Sequence, residues 1–300
     1  MANETQPIGT VAALWRFPVK SMQGEQLQAA DVTAGGTVGD RAYAVVDVET
    51  GKVGSAKHPR KWRRLLECEA TFVEQPVAGS PLPAVRIALP DGTTVSSDES
   101  GVDDALSDLV GRAVTLTSAA PDHGTIEELW PDIDGLAPAE FIEQTAVAGG
   151  RPDETVSDIA IGLAAPAGTF YDLAVLHLLT TASLRALEGF APESRFDALR
   201  YRPNVLIETD ADGFVENDWP GRTLAFGAGL QASVSIPTMR CVMTTLAQRD
   251  LPRDPEVLQT IARHNRIEIA GLGQWACVGA YAAVAVPGGV RVGDPVTLRP

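Results

Sequence analysis

Pro237-Thr238-Met239-Arg240-Cys241-Val242-Met243-Thr244-Thr245 is the stretch that decides how this chain is read. It follows an alternating apolar run, Leu230 to Ile236, which predicts a β-strand ending at Pro237. Cys241 is thereby placed just past a strand end, directly behind Arg240. A guanidinium beside a thiol favours the thiolate, the form that attacks as a nucleophile or binds a metal. Taken alone, such residues more often describe a packed cysteine at a strand-to-loop turn. The rest of the chain decides between the two.

Outward from this stretch, strands dominate. In the second half they are expected at Val175–Leu179, Val205–Glu208, Thr223–Phe226, Trp275–Val286, Gly289–Val292 and Pro295–Leu298. A short helix over Ala182–Leu187 is capped by Thr180 or Thr181, and Asp254-Pro255-Glu256 starts another that runs to about Arg263. In the first half, strands are expected at Thr10–Phe17, Leu27–Val32, Arg41–Val48 and Leu65–Val73. Val85–Leu89 and Thr93–Ser97 flank the hairpin signal Pro90-Asp91-Gly92. One helix, carrying Ala105, Leu106, Leu109 and Val110 inward, stops at Gly111. Residues 119–138 mix Pro, Asp, Gly and Glu without a period and read as a connection. The expected organisation is a domain over 8–118, a connecting segment 119–138 and a domain over 139–300. The fold class is mostly β with some α (α+β), and the turn spacing of the first half suits a small barrel.

Composition narrows the function. The net charge of −15 and the pI near 4.7 describe a surface that repels phosphate backbones, so no nucleic acid is expected as a partner. Three widely spaced cysteines, Cys68, Cys241 and Cys277, make neither a disulfide framework nor a Cys-x-x-Cys site, and suit a reducing compartment. Met1 to Pro7 lacks the basic and apolar regions of a signal peptide. The uncharged run Ile269–Val290 is rich in Gly and Ala and reads as two buried strands and a turn rather than a membrane span. A cytoplasmic protein without membrane contact is expected.

Four short stretches combine a loop with groups suited to an anion or a metal: Phe17-Pro-Val-Lys-Ser21, Gly39-Asp-Arg41, Tyr201-Arg-Pro-Asn204 and Arg240-Cys241. A lysine, a serine and an arginine that converged would hold a phosphate through charge-assisted hydrogen bonds. Each alone reads as a solvated loop cation. Cys68 and Cys277, in apolar strands, read as inert small hydrophobes, and His177 as a packed histidine in a strand.

Together these stretches resemble a known family. Trp15-Arg-Phe-Pro-Val-Lys-Ser21 with Gly39-Asp-Arg41 looks like the N-terminal β-barrel domain that precedes MOSC domains. Tyr201-Arg-Pro-Asn204, Phe214–Trp219, Arg240-Cys-Val-Met-Thr-Thr245 and Pro287–Val296 resemble, in order, the MOSC domain itself. The resemblance extends to the amidoxime reducing components, which bind molybdenum on a single molybdopterin and reduce N-hydroxylated compounds. It implies Cys241 as the molybdenum ligand and the catalytic thiolate. It implies Lys20, Ser21 and Arg41 as the pocket for the pterin's terminal phosphate. Arg202, Asn204 and Arg240 would line the cofactor, and Asp172 would accept from the pterin's N–H groups.

The implied function is a molybdenum–molybdopterin oxidoreductase acting on a small N-hydroxylated or N-oxide substrate. Its electrons would come from an external haem, iron–sulfur or flavin protein, because this chain has no cysteine cluster of its own. Two other functions share the same residues: a sulfur carrier with a persulfide on Cys241, and a non-catalytic carrier of the cofactor. After Thr245 the sequence Leu246-Ala-Gln-Arg-Asp-Leu-Pro252 departs from the acidic stretch common in the relatives, a difference that bears on substrate recognition.

Overall fold

The computed structural model describes residues 6–147, 151, 154–162, 165–166 and 168–299. The first five residues, most of the stretch scanned for a signal peptide, lie outside this set.

Seven strands close into a ring. In spatial order they are Gln6–Arg16, Pro295–Arg299, Thr223–Phe226, Leu230–Met239, Gly273–Val286, Leu176–Thr180 and Val205–Glu208, the last pairing back onto the first. A ring with an odd number of strands cannot be antiparallel throughout. Here the one exception is Leu176–Thr180 beside Val205–Glu208, which run parallel. A parallel pair needs a crossover, and the helix Thr181–Phe190 supplies it. Thr180 caps that helix, its hydroxyl accepting from Ser183 N at 3.1 Å.

Alternation along each barrel strand sorts side chains to two layers. All seven strands contribute to an inner core, with Val11, Leu14, Leu178, Ile207, Phe226, Val234, Ala282 and Leu298 among its members. Outward residues such as Leu179 and Cys277 pack with Leu187, Val257, Leu258 and Ile261 of the helices Thr181–Phe190 and Glu256–His264. Each fully buried aliphatic side chain contributes about 1.5–3 kcal/mol relative to exposure.

The first strand of the chain therefore belongs to a barrel that residues 176–299 complete. After it, the chain forms a smaller β unit. Ala44–Asp47 pairs with Val114–Thr117, and Glu69–Phe72, Val85–Ala88 and Thr94–Ser96 form a three-stranded sheet. Its own core gathers Val45, Trp62, Leu65, Ile87, Leu106 and Leu109. The helix Val102–Val110 closes on Gly111, whose φ of 71° is the left-handed C-cap that glycine adopts without strain.

Several expectations need correcting. The strand before Cys241 does not stop at Pro237 but continues to Met239, with a register shift between Pro237 and Met239 that absorbs the proline. The N-terminal part of the expected strand Leu65–Val73 is a 3-10 turn, Arg63–Glu67. Within the stretch read as a connection, Thr125–Trp130 is a strand paired with Thr155–Ala160, and the helix Ala139–Thr145 packs against that hairpin. Gly273–Val286 and Gly288–Arg291 are strands, as expected for the uncharged run. No helix among the described residues is long and apolar enough to cross a membrane.

Candidate functional site

Barrel closure collects the predicted residues. Gln6–Arg16 runs antiparallel to Val205–Glu208, so the exit of one strand lies beside the entry of the other; Trp15 N donates to Asn204 O at 2.9 Å. The loop Phe17–Ser21 thus leaves the barrel where Arg202 and Asn204 enter it. Leu176–Thr180 begins at the same rim, with Asn204 N donating to His177 O at 2.8 Å. Gly273–Val286 is flanked by Leu230–Met239 on one side and Leu176–Thr180 on the other, which brings Arg240 and Cys241 near His177.

The result is one cavity, partly open to solvent. Lys20, Ser21, Arg41, Asp172, Arg202, Asn204, Arg240 and Cys241 all line it. Lys57, Arg200, His177, Tyr201 and Tyr281 line it too, and the sequence reading gave none of these a role there. Six cationic residues thus line a single space, in a chain whose net charge is −15, although the Arg200 guanidinium itself is bound to loop carbonyls.

The cations differ in how they are held. Lys20 donates to Phe170 O at 2.7 Å and pairs with Asp172. Lys57 reaches Glu128 Oε2 at 3.1 Å and Asp172 Oδ2 at 3.5 Å. Burial works against the charge on Lys57, but Asp172 and Glu128 outweigh it and hold the amine well above the usual lysine range. Burial likewise opposes ionisation of Asp172, yet Lys20 and Lys57 keep its carboxyl well below the usual carboxylate range. Arg41 pairs with Asp40 and donates to Arg202 O at 3.2 Å. Arg200 is a strut: its guanidinium donates to the carbonyls of Arg195, Thr244, Leu246 and Pro252, fastening the turn Val242–Thr245 behind Cys241.

Arg202 and Arg240 have no carboxylate partner among the described residues. Arg202 donates to Met22 O at 2.8 Å and lies over the Phe17 ring at 4.1 Å, while Arg41 lies over the same ring at 4.6 Å. Burial, with the neighbouring Arg41 charge, pushes Arg202 down to about 9. Arg240 reaches Tyr201 O at 3.1 Å and His177 Nε2 at 3.4 Å, and its Nε is buried without a partner. Burial and the Arg240 charge hold His177 well below the usual histidine range, so its ring is neutral and Nε2 accepts. This arrangement is short of negative charge.

The backbone is strained at the same place. Five non-glycine residues among those described have φ in the left-handed region; Ser21 at 65°, Arg41 at 47° and Arg202 at 55° are three of them. Each costs about 1–2 kcal/mol, a kind of strain that clusters at ligand sites. Asp40 helps to hold it: its carboxylate accepts from Phe17 N at 2.7 Å and Asn204 Nδ2 at 2.9 Å and pairs with Arg41. The Asn204 amide also accepts from His177 N at 3.0 Å, so this side chain is committed to the scaffold. The Ser21 hydroxyl accepts from Ala56 N at 3.0 Å, which leaves its proton to donate.

Cys241 departs from expectation in one respect. Arg240 turns toward His177 and Tyr201, and burial raises the free thiol above its usual range despite Lys57 and Arg240 nearby. The neighbouring guanidinium does not by itself make a thiolate.

The molecule is thus a closed β-barrel protein with a buried cationic cavity and one cysteine at its edge. Comparison with known proteins gives the family. Residues 8–97 match the MOSC N-terminal beta barrel domain and residues 167–297 match the MOSC domain, so the chain belongs to the two-domain MOSC proteins. Mitochondrial amidoxime-reducing component 1 of Mus musculus is 26% identical over 98% of this chain and 83% of its own length. The Homo sapiens protein of that name is 25% identical over 98% and 84%. Mitochondrial amidoxime reducing component 2 of Homo sapiens is 24% identical over 97% and 84%. Among solved structures, the YUAD protein from Bacillus subtilis aligns over 99% of this chain and 97% of its own at 11% identity, with a TM-score of 0.46 too low to bear on the fold.

Proposed function

We propose that this protein binds a molybdenum–molybdopterin cofactor in the cationic cavity and reduces small N-hydroxylated compounds with electrons from another protein. The observation that carries the reading is the convergence of five cations, Lys20, Arg41, Lys57, Arg202 and Arg240, and a single cysteine on one cavity of an acidic chain. The residues fit such a group. Arg240 Nε is buried and unpartnered, Arg202 and Arg240 lack carboxylates, and the Ser21 hydroxyl has a proton to give. Among the described residues no cluster of three or more His, Cys, Asp or Glu could hold a metal ion. A metal at Cys241 would have to bring most of its donors with it, as a dithiolene chelate does.

In this reading Lys20, Ser21 and Arg41 bind the terminal phosphate, Arg202 and Arg240 neutralise the remaining negative charge, and Asp172 accepts from ring N–H groups. Cys241 serves as the one protein thiolate on the metal, a role in which a bound cation compensates the thiol's raised proton affinity. Asn204 and Asp40 position the arginines. When bound, the cofactor supplies the two-electron chemistry that breaks an N–O bond. The overall balance is one N-hydroxy compound plus two electrons and two protons giving the N–H compound and water. Electrons must arrive from outside, because Cys68, Cys241 and Cys277 sit in different elements and assemble no cluster among the described residues. A haem, flavin or iron–sulfur protein is the partner class, and the cytoplasm the expected location.

The test measures two products on metal-loaded and metal-free protein: the amidine formed from an amidoxime with an artificial donor, and cyanide-labile sulfur on Cys241 after incubation with a cysteine desulfurase. Metal-dependent amidine formation is expected. Persulfide transfer without metal-dependent reduction would replace the reading by the sulfur carrier. Tight cofactor binding with neither activity would replace it by the cofactor carrier.

A further inference from the structure

A second cavity adjoins the first. It is partly open to solvent and shares with the cationic cavity residues that include Lys57, Asp172, Met239, Arg240, Cys241 and Tyr281. Cys241 therefore stands at the junction of two spaces of opposite character. The second is walled by rings: Trp130 and Phe141 have centroids 6.2 Å apart, Trp130 and Trp275 6.2 Å, and Phe141 and Trp275 4.9 Å. Both indole N–H groups are already engaged, Trp130 Nε1 with Ser157 Oγ and Trp275 Nε1 with Leu272 O, each at 2.8 Å. What these rings offer a ligand is apolar surface.

The two cavities also differ in origin. Every residue lining the cationic cavity lies within the two matched segments, 8–97 and 167–297. The far wall of the apolar chamber, with Ile126, Glu128, Trp130, Phe141, Ile159 and Ala160, lies between them. The shared machinery and the chamber wall are thus separate parts of the chain. Glu128 is the one carboxylate on that far wall, and its recorded side-chain partner is Lys57.

We infer that Thr125–Trp130, Ala139–Thr145 and Thr155–Ala160 build a substrate chamber that selects compounds by a flat apolar ring, holding the ring against Trp130, Phe141 and Trp275 with its polar end directed to Cys241. This inference rests on the proposed reduction for the identity of the polar end, but the chamber itself is testable without metal.

Metal-free protein is titrated calorimetrically with benzamidine and with acetamidine, which keeps the cation and lacks the ring. Benzamidine is expected to bind about tenfold or more tighter than acetamidine, the scale of burying one aromatic ring. Ala160→Trp, at an exposed position on the chamber wall, should abolish the advantage by filling the space. Leu272→Trp, 43% exposed on the opposite side, should do the same if the first variant folds poorly. In metal-loaded protein either variant should lower kcat/KM for benzamidoxime about tenfold while changing acetamidoxime less than about twofold. Equal binding of the ring and ringless amidines, or retention of the advantage in both folded variants, overturns the inference. If the ring advantage is present and lost in the variants while no amidoxime is reduced, the chamber stands and the proposed reaction falls.

Discussion

At the scale of single residues, the most telling group is Arg202. It is buried, crowded by Arg41, held in a left-handed backbone conformation and without a carboxylate. An anion that joins such a group adds to the stability of the folded chain. Metal-free protein should therefore be more stable in phosphate than in chloride of equal ionic strength, by up to about 2–3 kcal/mol at saturating anion, and melt at a correspondingly higher temperature. Arg202→Gln should lose most of that increment, and an unchanged phosphate effect would show that the anion binds elsewhere. The three cysteines give a second test. Burial pushes Cys68 and Cys277 up to about 12, so at pH 8 about one thiol in ten thousand is ionised at each. Cys241 is half-buried and lines the cavity. Iodoacetamide should label Cys241 in the native protein and reach the other two only after unfolding, as peptide mapping will show. Lys57 and His177 were beyond the reach of sequence reasoning for a common reason. Their environment is made by Glu128, Asp172 and Arg240, which are distant in sequence and come close only in the folded chain.

At the scale of elements, the crossover after Leu176–Thr180 is required by the odd number of barrel strands, and Thr180 is its pivot. Its hydroxyl caps the helix Thr181–Phe190 and donates to buried Glu216 Oε2 at 2.8 Å. Glu216 also accepts from Ser183 Oγ at 2.6 Å and Gly279 N at 3.2 Å. Thr180→Ala removes a cap and one partner of a buried carboxylate, so a loss of about 2–4 kcal/mol is expected in urea denaturation. A loss below about 0.5 kcal/mol would mean that water replaces both bonds. The helices Val102–Val110, Thr181–Phe190 and Glu256–His264 and most long strands were legible because their apolar period or caps are local: Gly111 as a stop, the start at Asp254, the alternation from Leu230 to Ile236. Thr125–Trp130 was not. Its inward positions are Ile126, Glu128 and Trp130, and the buried glutamate between two apolar residues breaks the alternation that marks a strand.

At the scale of the whole molecule, the strand Gln6–Arg16 does the least local thing in the chain. It lies between Val205–Glu208 and Pro295–Arg299 and closes the ring. Pairing partners some 200 and 290 residues away leave no mark on a local pattern, so nothing in the strand itself shows which half it joins. A fragment beginning at residue 119 should therefore fail to fold, since two barrel strands would present unpaired edges to solvent. Aggregation or a featureless proton spectrum is the expected result, and a dispersed spectrum would show that the ring closes without its first strand. Closure also delivers Lys20, Ser21 and Arg41 to Arg202 and Cys241, so the site is a product of the same step.

The central claim, that this cavity holds a molybdenum cofactor through Cys241, is tested most directly by elemental analysis of protein purified from a host that makes the cofactor. The account predicts molybdenum and pterin phosphorus in near-equimolar amount with the wild-type chain, and molybdenum largely lost from a folded Cys241→Ser variant. Folded wild-type protein free of both elements, or a variant that retains its molybdenum in full, would contradict it.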